Sequence, residues 1–215
     1  MSSTPTVECY ELVTDLLQKL LETGKITRLI VCGTRTEFLV QLSAATRTQS
    51  SDSNAETRHD LLTKTIGLLA NSSKIQLAFC PSLESLRAYL AVIPSLLGSD
   101  KSLEVDQFDE PQVLAILDLV ALHTTTTEFS AQGLSRTFAT AVESAHYARI
   151  ELMLCECSNA VDPSSTDWGA RLWDTQVPLL NGSLRIRDDS GAWGGHGVPV
   201  RRVAERWFGF SNHTT

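Results

Sequence analysis

No segment of this 215-residue chain reads G-x-x-x-x-G-K-[ST], so the glycine-rich loop that cradles the phosphates of a bound nucleotide is missing. There is no G-x-S-x-G elbow and no H-E-x-x-H pair. The histidines (His59, His123, His146, His196 and His213) are scattered without matched partners. Covalent and metal-assisted hydrolysis thus lack their usual signatures. No apolar run approaches the roughly 18 residues that a membrane-spanning helix needs. The opening Met1-Ser-Ser-Thr-Pro-Thr6 lacks the charged-then-apolar order of a secretory signal. Lysine is scarce: it supplies five of the 18 basic residues and arginine the other 13. The formal net charge is −7. That argues against a general nucleic-acid-coating protein, because neutralising phosphate takes concentrated positive charge. A local basic patch stays open, since five arginines lie between Arg185 and Arg206.

The five cysteines, Cys9, Cys32, Cys80, Cys155 and Cys157, are odd in number and lie mostly inside apolar runs. Buried free thiols in a reducing, intracellular compartment explain them better than disulfides. Cys155 and Cys157 share one face of a strand, and His123 and His146 are their conceivable zinc co-ligands. Structural zinc, however, wants four ligands, usually as C-x₂₋₄-C pairs, so core positions are the better reading.

The length suits one α/β domain, and the pattern of elements agrees. Val7, Tyr10, Val13, Leu16, Leu17, Leu20 and Leu21 recur at helical spacing before Gly24, which predicts an N-terminal helix within residues 1–24. Arg28–Cys32 reads as a buried strand and Thr36–Ala45 as a helix. The Ser, Thr, Asn and Asp cluster from Thr46 to Thr57 reads as a flexible polar loop (46–58). A helix over Asp60–Ala70, a strand over Lys74–Cys80 and a helix over Ser82–Ile93 follow, with Ser82 and Ser85 sharing the cap. Gly98–Glu110 is an acidic linker. Ser130 caps a helix with Phe129 and Leu134 placed as a hydrophobic staple. Ile150–Cys157 is a further strand, and Ser158–Trp173 a loop. Val177–Ile186 and Val198–Phe210 read as strands around a Gly-rich turn, Asp188–Gly197, and should pair antiparallel in a β-rich tail (177–210). The expected fold is a mostly parallel sheet with helices on both faces and antiparallel strands added at one edge.

The most informative stretch is Val113–His123, an apolar run interrupted by a single acid, Asp118. Buried parallel strands read as such runs, and a carboxylate at the end of one points to where open α/β sheets bind ligands. Asp118 either binds a metal or polarises a ligand there, or caps a turn or pairs with an arginine. The βα turn nearest a phosphate loop in position is Cys32-Gly-Thr-Arg-Thr-Glu-Phe38. Its one glycine cannot form a nest of amides, and Glu37 repels phosphate. Arg185, Arg187, Arg201, Arg202 and Arg206 form a ridge for DNA or an acidic partner, or guard the edge strands against aggregation.

With these elements in order, the chain resembles the RecA-type ATPase core of eukaryotic strand-exchange recombinases and their paralogues, over roughly Arg28–Phe210. Leu114–Leu122 resembles the Walker B strand and the apolar segment after it. Glu128–Arg136 resembles the start of the following helix, and Ile150–Cys157 with Ser158-Asn159 a strand ending in a polar nucleotide sensor. Without the phosphate loop, the resemblance implies a RecA-like sandwich that does not hydrolyse ATP and needs no cofactor, with Asp118 a degenerate Walker B residue. It implies a nuclear accessory subunit in homologous recombination and DNA repair, held to another RecA-like subunit in a hetero-oligomer and reaching DNA through the complex. Two alternatives stand beside it. One is a cytoplasmic scaffold subunit of an Elongator-type complex. The other is a small-molecule enzyme on a doubly wound fold, which requires convergent polar groups at the sheet's carboxyl edge near Gly33, Asp118 and Glu156; a deep apolar cleft there containing perturbed carboxylates favours it over an interaction subunit.

Overall fold

The computed structural model describes residues 4–52, 61, 65–98, 112–181 and 197–211. Its centre is β4 (Gln112–Leu117), all apolar after Gln112 and buried from Val113 on. A strand apolar on both faces must be covered on both, and this one is. Leu114 and Ile116 face one layer of core, while Val113, Ala115 and Leu117 face the other. β4 lies between β2 (Ile26–Val31) and β5 (Glu151–Cys157), paired in parallel with each. β3 (Ile75–Phe79) extends the sheet beyond β2, and β1 (Thr6–Tyr10) and then β8 (Gly209–Phe210) extend it beyond β5. The order is β3-β2-β4-β5-β1-β8, and every neighbouring pair runs parallel.

Helices α1 (Val13–Thr23) and α2 (Arg35–Asp52) cover one face through Val13, Leu16, Leu20, Phe38 and Ala45. α4 (Leu83–Gly98) and α6 (Ala131–Ala148) cover the other through Leu86, Leu90, Ile93, Leu134 and Phe138. Between them in sequence lie two short helices, α3 (Ile66–Ser72) and α5 (Leu119–Thr124). The ends of these helices follow local chemistry. Ser82 and Ser85 exchange hydrogen bonds at the start of α4, and Ser130 Oγ accepts from Gly133 N at 3.0 Å to open α6. Gly24 closes α1 at φ +60°, a left-handed conformation that glycine adopts without strain. The result is an α/β sheet flanked by helices on both faces with a small antiparallel ribbon apart from it, an arrangement consistent with a RecA-like sandwich.

Several expected elements shift. The N-terminal helix is a strand followed by a helix: Val7 and Tyr10 belong to β1, and the connection is the two residues Glu11-Leu12. α2 continues through Thr46 to Asp52, so the expected loop begins as helix, and residues 53–58 lie outside the described residues. The helix expected over Asp60–Ala70 starts only at Ile66, while the acidic segment 99–110 is likewise outside. The apolar run Val113–His123 divides at Asp118 into β4 and α5.

The tail changes most. The antiparallel pair exists, with Val177 opposite Val198, but β6 (Gln176–Val177) and β7 (Val198–Pro199) form a separate two-stranded sheet. Val198–Phe210 is not one strand. Its middle is a short helix, α7 (Val200–Ala204), which buries Val200, Val203 and Ala204 at helical spacing. The strand that does join the main sheet, β8, is parallel to β1.

Candidate functional site at the carboxyl edge of the sheet

Four strand-to-helix turns open on this edge; Ser82 and Ser85 cap the one at β3–α4, and the other three each hold a carboxylate of the chain itself. At β1–α1, Asp15 Oδ2 accepts the amide of Leu12 at 2.9 Å. At β2–α2, Glu37 Oε2 accepts the amide of Thr34 at 2.8 Å and its hydroxyl at 2.7 Å, and these bonds hold the Glu37 carboxyl below its ordinary range. At β4–α5, Glu156 reaches across from β5: Oε1 accepts Val120 N at 2.6 Å and Oε2 accepts Ala121 N at 3.3 Å. Free amides at helix starts are what bind phosphate in nucleotide enzymes. Here several of them already have carboxyl partners within the chain.

Asp118 sits where the sequence places it, at the carboxyl end of the central strand, and it makes the break in the apolar run. Its backbone is left-handed at φ 60°, a conformation that aspartate tolerates better than most residues. Its amide donates to Cys155 O at 2.8 Å, continuing the ladder, and its Oδ1 accepts from Cys157 N at 3.1 Å. Leu122 N donates back to Asp118 O at 3.0 Å, the first bond of α5. Only 8% exposed, the carboxyl is pushed up to about 7 by burial, against the opposing pull of the Cys157 amide. Burial and the neighbouring Asp118 charge also raise Glu156 well above the carboxylate range, against its two amide bonds.

Beside Asp118 opens a cavity of about 500 Å³, bounded by the turn Cys32–Thr34, the start of α2, the end of β4, α5 and the loop after β5. Its wall is largely apolar, with Phe38, Leu117, Leu122, Val161 and Trp168 among its side chains. Gln41 and Asn159 brace it: Gln41 Nε2 donates to Asn159 Oδ1 at 2.7 Å, and Ala160 N donates to Gln41 Oε1 at 2.8 Å. No lysine, arginine or histidine is among its described lining residues. Burial also pushes the Cys32 and Cys157 thiols up, away from the reactive thiolate.

The other expected site residues lie elsewhere. His123 is buried on α5 against α6, outside the cavity lining, with Nε2 3.0 Å from Thr137 Oγ1 and Nδ1 3.3 Å from Glu128 O, and burial pushes its pKa down to about 4. Arg87 grips Glu128 with two bonds, at 3.1 and 2.7 Å, and also reaches Thr137. His146 is exposed on α6, apart from the buried Cys155 and Cys157. Arg201 packs over the Phe210 ring, 4.5 Å from its centroid, and faces Asp174 at 3.8 Å. Arg202 pairs with Glu205 at 3.3 Å, and Arg206 is exposed. These three stand on or just after α7 rather than alternating along an edge strand. Arg185 and Arg187 are outside the described residues.

Sequence reasoning missed Asp15 and named Glu156 only for its place at this edge, not for its bonds to α5. Asp15 gives a partial signal, an acid in the first turn of a helix. Glu156 gives another: it lies between two cysteines in an apolar strand, so it must be buried whichever face it takes.

The class is therefore an open parallel α/β protein whose carboxyl edge carries acids at several of its helix starts. A family model places it further. The SPAC22G7.03-like family matches residues 8–163, from β1 through the loop after β5 and well over half of the chain. The chain belongs to this family. No curated protein matches it significantly.

Proposed function

We propose that this chain is a non-catalytic, RecA-like accessory subunit of a protein complex, working in homologous recombination and DNA repair. The observation that carries the non-catalytic reading is the edge just described. Asp15, Glu37 and Glu156 each accept amides at the helix starts where a nucleotide's phosphates would sit, and Asp118 gives one carboxyl oxygen to the Cys157 amide. In phosphoryl transfer, positioning and charge neutralisation are most of the catalysis, and neither is provided here. A subunit of this kind contributes a fixed surface to a neighbouring RecA-like subunit. The resemblance to recombinase paralogues supplies the setting. Arg202 and Arg206 supply exposed positive charge for weak, salt-sensitive contact with DNA, strengthened within the complex.

Calorimetry of the purified chain with Mg-ATP tests the first half. We expect no binding; micromolar affinity lost in Asp118→Ala would refute it. Charge reversal at Arg202 and Arg206 tests the second half, with assembly and DNA binding measured on the complex. Arg201 is left alone because it packs on Phe210. Loss of DNA binding with assembly intact supports recombination. A complex that never binds DNA leaves the Elongator-type scaffold as the better setting.

The cavity favours a second reading, a small-molecule enzyme. It has the apolar wall and the perturbed Asp118 that favour this reading, but Glu156 is turned away to α5. Glu37 is tied to Thr34, so the edge holds no acid–base pair around a substrate. The cavity is better suited to binding than to turnover.

A further inference from the structure

The cavity beside Asp118 has the size and lining of a small-molecule site. Its volume falls in the range of small-molecule pockets, roughly 300–1,000 Å³, and its wall suits an apolar body. Its amide side chains are committed to one another, since Asn159 Oδ1 also accepts from Val161 N and Asp162 N at 2.9 Å. That leaves Asp118. One of its oxygens takes the Cys157 amide, and the other, Oδ2, has no hydrogen-bond partner among the described residues. On a residue only 8% exposed and lining the cavity, that second oxygen is an acceptor open to a donor bound there.

We propose that this cavity binds an organic cation, an ammonium or guanidinium group carried on a short apolar body, with the charged head donating to Asp118 Oδ2. An anion meets acids and no basic residue. A metal ion finds too few ligands, since no group of three His, Cys, Asp or Glu able to hold one occurs among the described residues. A neutral ligand can fill the space but leaves the acid without a counter-charge. The inference holds whether the chain acts alone or in a complex, because all the residues it uses belong to this chain.

The test compares three probes with one phenyl body and different heads: phenethylammonium, 2-phenylethanol and 3-phenylpropionate, titrated into the purified full chain by calorimetry. The ammonium should bind at least about tenfold tighter than the alcohol, equivalent to about 1.4 kcal/mol, and the carboxylate should not bind. Asp118→Asn keeps an acceptor for Cys157 N and should erase the preference, so that ammonium and alcohol bind alike. Val40→Trp, at an exposed position on the cavity wall, should weaken the ammonium several-fold and decides the location even if the Asp118 variant fails to fold. N-acetyl-arginine amide separates the sources of the cation. Tighter binding than phenethylammonium assigns the seat to a partner's arginine, and weaker binding assigns it to a free amine. Equal affinity for all three heads, preference for the carboxylate, or an ammonium affinity untouched by Val40→Trp would overturn the proposal.

Discussion

Replacing Asp118 with asparagine should stabilise this protein, and only at the alkaline end of its range. The folded state raises this carboxyl from its ordinary 3.8 to about 7, so the folded chain holds the proton more tightly than the unfolded one. Stability from this group is complete below about pH 4 and is lost as pH rises toward 7. Each unit of displacement corresponds to about 1.4 kcal/mol, which bounds the loss at roughly 4 kcal/mol. The cavity admits water beside the carboxyl, so about 2–4 kcal/mol is the expected gain for the variant at pH 8. Asparagine keeps the bond from Cys157 N and carries no charge to bury.

The wild-type profile alone would hide this effect. His123 falls from 6.5 to about 4 on folding, so its contribution runs the other way and is lost as pH falls through the same window. Urea denaturation of wild type and Asp118→Asn at matched pH removes the His123 slope, because both chains share it. Glu156 has the same sign as Asp118 and also persists in both, though it becomes easier to ionise once the Asp118 charge is gone. The difference should be near zero at pH 4, grow as pH rises toward 7 and level off above it. A variant less stable than wild type at pH 8 would mean that ionised Asp118 has a favourable partner, and the account of a buried, uncompensated carboxyl would fail.

Three further outcomes are expected. Gly133→Ala should cost about 2–3 kcal/mol in urea denaturation, because a Cβ there would lie 2.1 Å from the Glu128 carbonyl oxygen. Gly67→Ala in α3 meets nothing within 4 Å and should be neutral or stabilise by up to about 1 kcal/mol. A double-mutant cycle on Arg87 and Glu128 should give a coupling of about 1 kcal/mol or more, since the pair is doubly bonded and only 22% and 26% exposed. A coupling that vanishes in moderate salt would place that pair among ordinary surface contacts.

The central strand, its acid, α6 with its Ser130 cap and the antiparallel partnership of Val177 and Val198 were legible because each rests on local chemistry. Continuous apolar runs, a capping serine and paired β-rich segments carry their own signals. The first strand was not legible. β1 and α1 are joined by Glu11-Leu12, with neither glycine nor proline to mark the break, and the apolar residues on both sides fall into one helical spacing. The reverse happened at Val200–Ala204, where β-branched valines suggested a strand but their three-residue spacing made a helix once Val203 and Ala204 had a core to enter. The polar composition of Thr46–Asp52 suggested a loop. Side-chain bonds from Thr46, Thr48 and Ser50 back to carbonyls four residues earlier accompany the helix instead. At the site, Asp118 was visible from its place in the run, whereas the role of Glu156 depends on a contact with α5 that only the fold creates.

The acids at the turns do two jobs that would conflict in a nucleotide enzyme. An enzyme must leave helix-start amides open for phosphate, at a cost in stability when the site is empty, while here Asp15, Glu37 and Glu156 hold the amides of Leu12, Thr34, Val120 and Ala121. Removing one acid therefore should not restore a nucleotide site. Glu37→Gly frees the Thr34 amide, but the turn still has no lysine, and Glu156 and Asp15 still hold the neighbouring helix starts. Calorimetry of this variant should show no Mg-ATP binding, together with a loss of roughly 1 kcal/mol of stability for the missing cap. Micromolar affinity in Glu37→Gly would mean that a single carboxylate was masking a competent phosphate site, and the edge would then be an inhibited nucleotide site rather than one rebuilt for another ligand.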